Sequence, residues 1–379
     1  MEICERFFTT VRDGLTIQGK VFTPGGSHLP VIIVSHGFTG DMRETEPYAR
    51  QLAALGYLTL CFDFCGGCLQ GRSEGSTTDM SVLTEVCDLM AVIRYAQALP
   101  EADGDRISLM GFSQGGFVSA LTAAKLKEQI EKLILVFPAF CIPDDSRKGQ
   151  MLLSRFDPHN IPDVIECGAF RMGRIYPEAV LDMDPYKEVT EYQGPVLILH
   201  GTDDRIVDIS YAEKAAAAYG EHATLKTILD AGHGFRPEED LVAMGFLAEF
   251  LQDRREILTI HVSLTGKQEA EEGELSVLTL PFEGFARGEY FRGIIEPGAA
   301  DVQRRRGEEI VRFCADYRIT GEDYAGHKCT IHVINVNEGS GWKPQVTTDS
   351  EALSFLNGDQ CSAVLEYRSI GPVVHIFCK

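Results

Sequence analysis

Residues 111–116, Gly-Phe-Ser-Gln-Gly-Gly, constrain this chain more than any other stretch. A short apolar run over 106–110 precedes them and reads as a buried strand. Residues 117–124 follow and read as a helix. A serine on a strand-to-helix turn, with glycines two residues to either side, has its backbone forced through a sharp bend. The serine sits in a strained region, and a side chain at either flank would collide with the neighbouring strand or helix. The turn therefore predicts that Ser113 stands as a nucleophile at the end of a parallel strand.

The segments around the turn supply such a sheet. Residues 7–12 and 15–23 alternate around Asp13-Gly14, a strong turn dipeptide, and predict a starting hairpin. Runs at 31–36, 57–63, 132–137 and 196–200 are continuously apolar, as in strands buried on both faces. Helical stretches at 47–55, from about Asp79 to Ala98, at 210–219 and from about 238 to 251 alternate with them. In the second of these, Val82, Val86, Leu89, Ile93 and Ala96 form one helical face. Strands alternating with helices predict an α/β domain, a mostly parallel sheet flanked by helices. Between about 138 and 190 this regularity stops. The prolines there (Pro143, Pro158, Pro162, Pro177, Pro185) and short apolar clusters predict an inserted cap with short helices of its own.

A serine nucleophile needs a base, and the base needs a carboxylate to fix its tautomer and offset its charge. In a fold of this kind the order along the chain is serine, acid, histidine. Two later stretches fit, each directly after a buried strand: 200–207, His-Gly-Thr-Asp-Asp-Arg-Ile-Val, and 231–235, Ala-Gly-His-Gly-Phe. His233 is the candidate base, and Asp203 or Asp204 the candidate acid. His36 and His200 end strands and are expected to make structural hydrogen bonds. An oxyanion hole requires two backbone N–H groups, one from the residue after the nucleophile and one from the loop after the third strand. Those residues are Gln114 and Phe38.

At these positions the chain resembles the α/β-hydrolase superfamily. The acid of that superfamily falls in an H-G-x-x-D-x-x-V pattern, matched here by His200, Gly201, Asp204 and Val207, which selects Asp204. Further motifs narrow the resemblance: His-Gly-Phe at 36–38, Asp-Phe at 63–64, Gly-Phe-Ser-Gln-Gly-Gly at 111–116, His-Gly-Thr-Asp-Asp at 200–204 and Gly-His-Gly-Phe at 232–235. Together they are similar to the bacterial cinnamoyl (feruloyl) esterases, over roughly residues 5–252. That resemblance implies a serine carboxylesterase acting on esters of hydroxycinnamic acids, with no cofactor and a small aromatic ester as its partner. In that family the cap supplies an aspartate and a tyrosine that contact the phenolic hydroxyls. The matching stretches point to Asp145, with Asp144 adjacent, and to Tyr176. The same serine, acid and histidine would serve a serine peptidase or a short-chain acyl esterase. An inactive hydrolase fold used for ligand binding or scaffolding is the reading of another class. The chain departs from the family in carrying cysteines at 65 and 68, where a basic residue and a histidine are expected, and in carrying a further domain.

From Ile257 onward the pattern is almost all strand-like, which places a domain boundary near 255: residues 1–255 form the α/β-hydrolase domain and 256–379 an all-β antiparallel barrel. Residues 311–319 alternate strictly, with Val311, Phe313, Ala315, Tyr317 and Ile319 on one face. Runs at 258–264, 275–280, 328–336, 362–369 and 372–378 are comparable. The acidic patch 269–274 is expected to be a solvated loop, and Arg304-Arg305-Arg306 a solvated turn. Stretches 291–298, 301–303 and 315–323 resemble a widespread uncharacterised family of small bacterial β-barrel domains. A role in a homodimer or at the esterase entrance is expected, and Trp342 is expected to close a barrel end.

The net charge of −21 argues against nucleic acid or an anionic membrane as partner. No apolar run is long enough to span a membrane. The start of the chain lacks the apolar core of a signal peptide, and the eleven cysteines are scattered, so free thiols in the cytoplasm are expected. Cys61, Cys65 and Cys68 have no second cysteine or histidine pair at ligand spacing, and unpaired loop thiols rather than a metal are expected there.

Overall fold

The computed structural model describes residues 2–152, 154–307, 309–337, 343–358, 361–368 and 371–379. It divides into two compact units, Met1–Glu239 and Asp240–Lys379.

The first unit opens with the hairpin β1 (Cys4–Arg12) and β2 (Leu15–Thr23). Its turn residues Asp13 and Gly14 both have positive φ, as a tight two-residue hairpin turn requires. Then come β3 (Leu29–Ser35), α1 (Met42–Ala54), β4 (Leu58–Phe62), α2 (Val82–Gln97), β5 (Ala102–Phe112), α3 (Gln114–Leu126) and β6 (Ile130–Val136). The inserted segment holds α4 (Ile142–Arg147), the ribbons β7 (Gln150–Met151) with β8 (Ser154–Arg155) and β9 (Val164–Cys167) with β10 (Phe170–Gly173), then α5 (Ile175–Glu178) and α6 (Pro185–Val189). The cap is thus part β-ribbon, where only short helices were expected. β11 (Val196–Gly201), α7 (Ile209–Tyr219) and β12 (Ala223–Ile228) complete the sheet.

Eight strands pair in the order β1-β2-β4-β3-β5-β6-β11-β12. The first two are antiparallel to their neighbours and the rest are parallel. β4 is buried throughout and β3 and β6 nearly so, because helices cover both faces and leave no room for polar alternation. Two helix starts differ from expectation. α1 begins at Met42, because Asp41 caps it by accepting from the Arg43 N–H at 2.9 Å, and Pro47 lies within the helix rather than at its start. α2 begins after Ser81, whose side chain and that of Thr84 form a reciprocal capping box; Asp79 sits in a short turn before it.

In the second unit, α8 (Pro237–Leu251) runs across the division of the chain and precedes β13 (Arg255–Leu264). Within the second unit α8 packs on barrel strands. The Phe246 ring lies 5.0 Å from that of His375, and the Ser362 hydroxyl donates to Glu249 at 2.6 Å. The strands are β14 (Gln268–Glu272), β15 (Leu275–Arg287), β16 (Phe291–Ile295), β17 (Ala300–Arg306), β18 (Glu309–Asp323), β19 (Lys328–Asn337), β20 (Gln345–Thr348), β21 (Ser362–Arg368) and β22 (Gly371–Cys378). All pairings are antiparallel, and β15, β16, β18 and β17 pair in a closed circuit, so an antiparallel barrel is present. The acidic patch is not a loop: β14 is a strand with every side chain exposed. Arg304–Arg306 likewise end β17 rather than form a turn. Cys361 and Cys378 are joined by a disulfide, which corrects the expectation of free thiols throughout; the other described cysteines are free. Trp342 lies outside the described residues. Among the described residues no helix is long and apolar enough to cross a membrane.

The turn at Ser113 depends on close backbone approach. A Cβ on Gly115 would lie 2.2 Å from the His36 carbonyl oxygen, and one on Gly111 would lie 2.1 Å from that of Gly115. Gly115→Ala is therefore expected to lower stability by about 1–3 kcal/mol through overpacking, read as a shifted urea midpoint at unchanged slope. A midpoint equal to that of the parent would contradict the packing described.

Candidate active site

The sheet order reverses between β3 and β5: the chain passes from β3 outward to β4, then crosses back to β5. Loops leaving the C-terminal ends of two such strands diverge and leave a crevice, where sites form in open α/β sheets. Gly37 and Phe38 leave β3 there and Ser113 leaves β5. A Cβ on Gly37 would meet that of Ser113 at 3.2 Å.

Ser113 has φ 52° and ψ −118°, a conformation that only the surrounding contacts can hold. Its N–H donates to the Val136 carbonyl at 2.9 Å, and its carbonyl accepts from Ala139 N–H at 2.9 Å. The hydroxyl oxygen lies 2.9 Å from His233 Nε2, and His233 Nδ1 lies 2.8 Å from Asp204 Oδ2. Asp204 and His233 follow β11 and β12, so three strand ends converge on one line of side chains. The Phe137 ring backs the His233 ring at 4.7 Å between centroids.

Asp204 is buried, and burial alone would raise its pKa. Hydrogen bonds from His200, His233 and the Val207 N–H outweigh that and hold the carboxyl below the usual carboxylate range. Its Oδ1 accepts the N–H groups of Ile206 and Val207, both at 2.9 Å. Asp203, the alternative acid, faces outward and pairs with Arg205 at 3.2 Å. His200 is fully buried; its Nε2 donates to the Val207 carbonyl at 2.9 Å and lies 3.3 Å from Asp204, a structural placement. His36 is also buried. Its Nε2 accepts the Phe64 N–H at 3.1 Å, which leaves Nδ1 to donate to the Gly37 carbonyl at 2.8 Å and so to fix the loop carrying Phe38.

Gln114 opens α3, where first-turn N–H groups have no partner within the helix. Its own side chain is buried and tied from behind. Nε2 donates to Glu85 at 2.8 Å, and Oε1 accepts the Tyr176 hydroxyl. Glu85 was not singled out from the sequence. The signal was there, since it lies between Val82 and Val86 on the apolar face of α2. Burial pushes Glu85 well above the usual carboxylate range, the Gln114 hydrogen bond opposes that, and Asp88 adds to it.

A cavity of about 390 Å³ opens at Ser113. Phe38, Gln114, Ala139, Ile142, Asp145 and Met151 line it, as do Arg205, Ile206 and Val207. Of the adjacent cap acids, Asp145 lines the cavity, and burial raises its pKa. Asp144 is turned aside, paired with Arg147 at 2.7 Å and accepting the Tyr211 hydroxyl at 3.0 Å. Tyr176 is wholly buried and is not among the lining residues, its hydroxyl being engaged by Gln114.

Cys61, Cys65 and Cys68 are unpaired, with Cys61 in β4 and the other two in the loop after it. Cys61 and Cys65 are buried and Cys68 is partly so. His36, Asp63 and Cys68 bring ligand-type atoms within 4.8 Å of one another. These atoms already hold loops, however. Besides the His36 bond to Phe64, Asp63 accepts the Met42 N–H at 2.8 Å and the Arg72 N–H at 2.6 Å. Burial pushes the Cys68 thiol up.

Residues 26–178 match the family model described as serine aminopeptidase, S33. In a structure comparison the chain superposes on Est1E from Butyrivibrio proteoclasticus, solved with ferulic acid bound, with a TM-score of 0.60 and 29% identity over 65% of this chain and 98% of that one. The fold is that of an α/β-hydrolase. The monoglyceride lipase of Rattus norvegicus is 28% identical over 50% of this chain and 58% of its own length. An uncharacterised 31.7 kDa protein of Escherichia coli is 31% identical over 37% of this chain and 47% of its own length. The chain thus spans about half the length of these curated relatives. These similarities and the geometry support a serine hydrolase of the α/β-hydrolase type.

A folded-state pKa above the unfolded value makes ionisation of Glu85 destabilising. The penalty is absent below the ordinary value of 4.5 and grows as the pH rises above it. Glu85→Gln keeps an acceptor for Gln114 and has no proton to lose. It is expected to gain stability relative to the parent between about pH 5 and pH 8, by up to about 1.4 kcal/mol per pH unit, in urea unfolding. A difference that does not change with pH would contradict this.

Proposed function

We propose that the protein is a serine carboxylesterase that hydrolyses esters of hydroxycinnamic acids. The observation that carries this reading is the Ser113–His233–Asp204 line opening on a cavity that also presents the half-buried carboxyl of Asp145 and the ring of Phe38. Est1E, solved with ferulic acid, supports the acyl side of the proposal.

In this mechanism Ser113 Oγ attacks the ester carbonyl while His233 Nε2 takes its proton, and Asp204 stabilises the imidazolium without becoming protonated. The N–H groups of Phe38 and Gln114 stabilise the oxyanion, and each such donor contributes on the order of 3–4 kcal/mol to barrier lowering. His233 returns its proton to the leaving alcohol. Water then attacks the acyl-enzyme, with His233 again as base, and releases the acid and Ser113. Asp145 is the proposed acceptor for a phenolic hydroxyl. A contact from Tyr176 to the same ring would require its hydroxyl to exchange Gln114 for the substrate.

The description of the matching family model favours a second reading, an aminopeptidase using the same three residues. Steady-state rates on methyl ferulate, p-nitrophenyl butyrate and an aminoacyl amide separate the readings. Highest kcat/KM is expected on methyl ferulate. A preference for butyrate would sink the aromatic claim, and a preference for the amide would favour the peptidase. Ser113→Ala is expected to lower kcat at least about ten-thousand-fold with an unchanged melting curve. Asp145→Ala is expected to raise KM for methyl ferulate about tenfold, the loss of one hydrogen bond, and to leave p-nitrophenyl butyrate unaffected. Equal effects on both esters would remove Asp145 from the acyl site.

A further inference from the structure

The second unit has a cavity of its own, of about 510 Å³, distinct from the one at Ser113. Alternate residues of six strands face it: Val262 and Leu264 on β13, Leu280 and Phe282 on β15, and their counterparts on β17, β18, β21 and β22. Residues two apart on a strand share one face, so these side chains lie on the inner face of the barrel sheet. Its volume lies within the range of small-molecule sites, and small barrels either fill this space with side chains or hold one ligand.

The polar residues decide between those uses. A barrel packed for stability alone would carry apolar residues at these positions, as Ile319, Ile331 and Val333 do elsewhere in the core. Around the cavity the same face instead carries Asp301 and Gln303 on β17 and Asn335 on β19. Asn335 is only 5% exposed, and its side-chain carbonyl has no hydrogen-bond partner. Asp301 Oδ1 also lacks one, and burial pushes that carboxyl up to about 6. Its other oxygen accepts from Gln303 at 3.1 Å, and Gln303 in turn accepts from Arg305 at 2.5 Å. Asp301 is thus oriented by a relay on its own strand. Buried polar atoms without partners are rare in native proteins and mark a place where a ligand or water completes the bonding. Arg368, which also lines the cavity, has an unpartnered donor in its Nε, so a group that both donates and accepts, such as a hydroxyl, would complete the bonding. The walls are aromatic and aliphatic, with Phe282, Phe313 and Tyr317 among them, and Tyr367 at the rim is 77% exposed.

We propose that the barrel of the second unit is a binding site for a small, uncharged aromatic molecule bearing a hydroxyl group, held by apolar walls and by donation of that hydroxyl to Asn335. This site does not depend on the esterase reading.

The test uses the full chain with Ser113 first blocked by diisopropyl fluorophosphate, titrated calorimetrically with 2-naphthol and with 2-methoxynaphthalene, which has no donor. One equivalent of 2-naphthol is expected to bind at least about tenfold tighter than the ether, the worth of one hydrogen bond. Ala315→Trp, which fills the cavity, is expected to weaken 2-naphthol at least tenfold while ester turnover by the unblocked variant stays within twofold. Asn335→Leu is expected to bring the two probes to similar affinities. Failure of the unmodified protein to bind 2-naphthol, equal affinities for both probes, or full binding by a folded Ala315→Trp variant would overturn the proposal. If that variant does not fold, the comparison of probes on the unmodified chain and on Asn335→Leu still decides it.

Discussion

A serine held at positive φ is the constraint on which the first unit depends. A non-glycine residue in such a region costs on the order of 1–3 kcal/mol, and it persists only where its surroundings over-determine it. Here the Ser113 N–H and carbonyl are both bonded across the turn, to Val136 and Ala139, while Gly111 and Gly115 let β5, α3 and the β3 loop approach to contact. The sheet offsets the strain through its central strands, of which β4 is buried throughout and β3 and β6 nearly so. What the strain yields is position: the hydroxyl stands clear of the sheet, within reach of His233.

The rest of the site is organised by where charge can be tolerated. Asp204 is buried yet remains the anionic end of the line, because backbone N–H groups and two histidines satisfy both of its oxygens. Glu85, buried one layer below, has a single strong partner among the described bonds, Gln114, and is driven toward the neutral form. The same low-dielectric surroundings therefore act oppositely on two carboxyls according to their hydrogen bonds. Glu85 and Tyr176 hold the Gln114 side chain from two sides, which fixes the start of α3 and with it the N–H proposed for the oxyanion hole.

Much of this was legible in the sequence, for physical reasons. Continuous apolar runs such as 31–34 and 133–136, short and rich in β-branched residues, read as strands buried on both faces. The glycines at 111 and 115 announced the bend. The polar residues at 204 and 233 follow such strands directly, and the structure brings both to Ser113. Other features depend on tertiary contacts that no local pattern carries. Asp144 and Asp145 are indistinguishable by spacing; only the ion pair with Arg147 and the Tyr211 hydroxyl turn one of them away from the cavity. Tyr176 looks like any cap tyrosine until Gln114 claims its hydroxyl. β14 and the end of β17 were misread because their charged side chains suggested solvent; β14 lies at a sheet edge beside β15 and can be polar on both faces, whereas Arg304 and Arg305 pair with both β15 and β18. The disulfide between Cys361 and Cys378 likewise needs β22 beside the start of β21, a pairing that sequence spacing does not reveal.

The central claim is that Ser113 carries the acyl group during turnover. It is tested most directly by acid-quenching the protein during steady-state hydrolysis of methyl ferulate and mapping the adduct by peptide mass spectrometry. One feruloyl group on the peptide containing Ser113, absent from Ser113→Ala, is the expected result. Sustained turnover with no adduct on that peptide, or with an adduct at another residue, would contradict it.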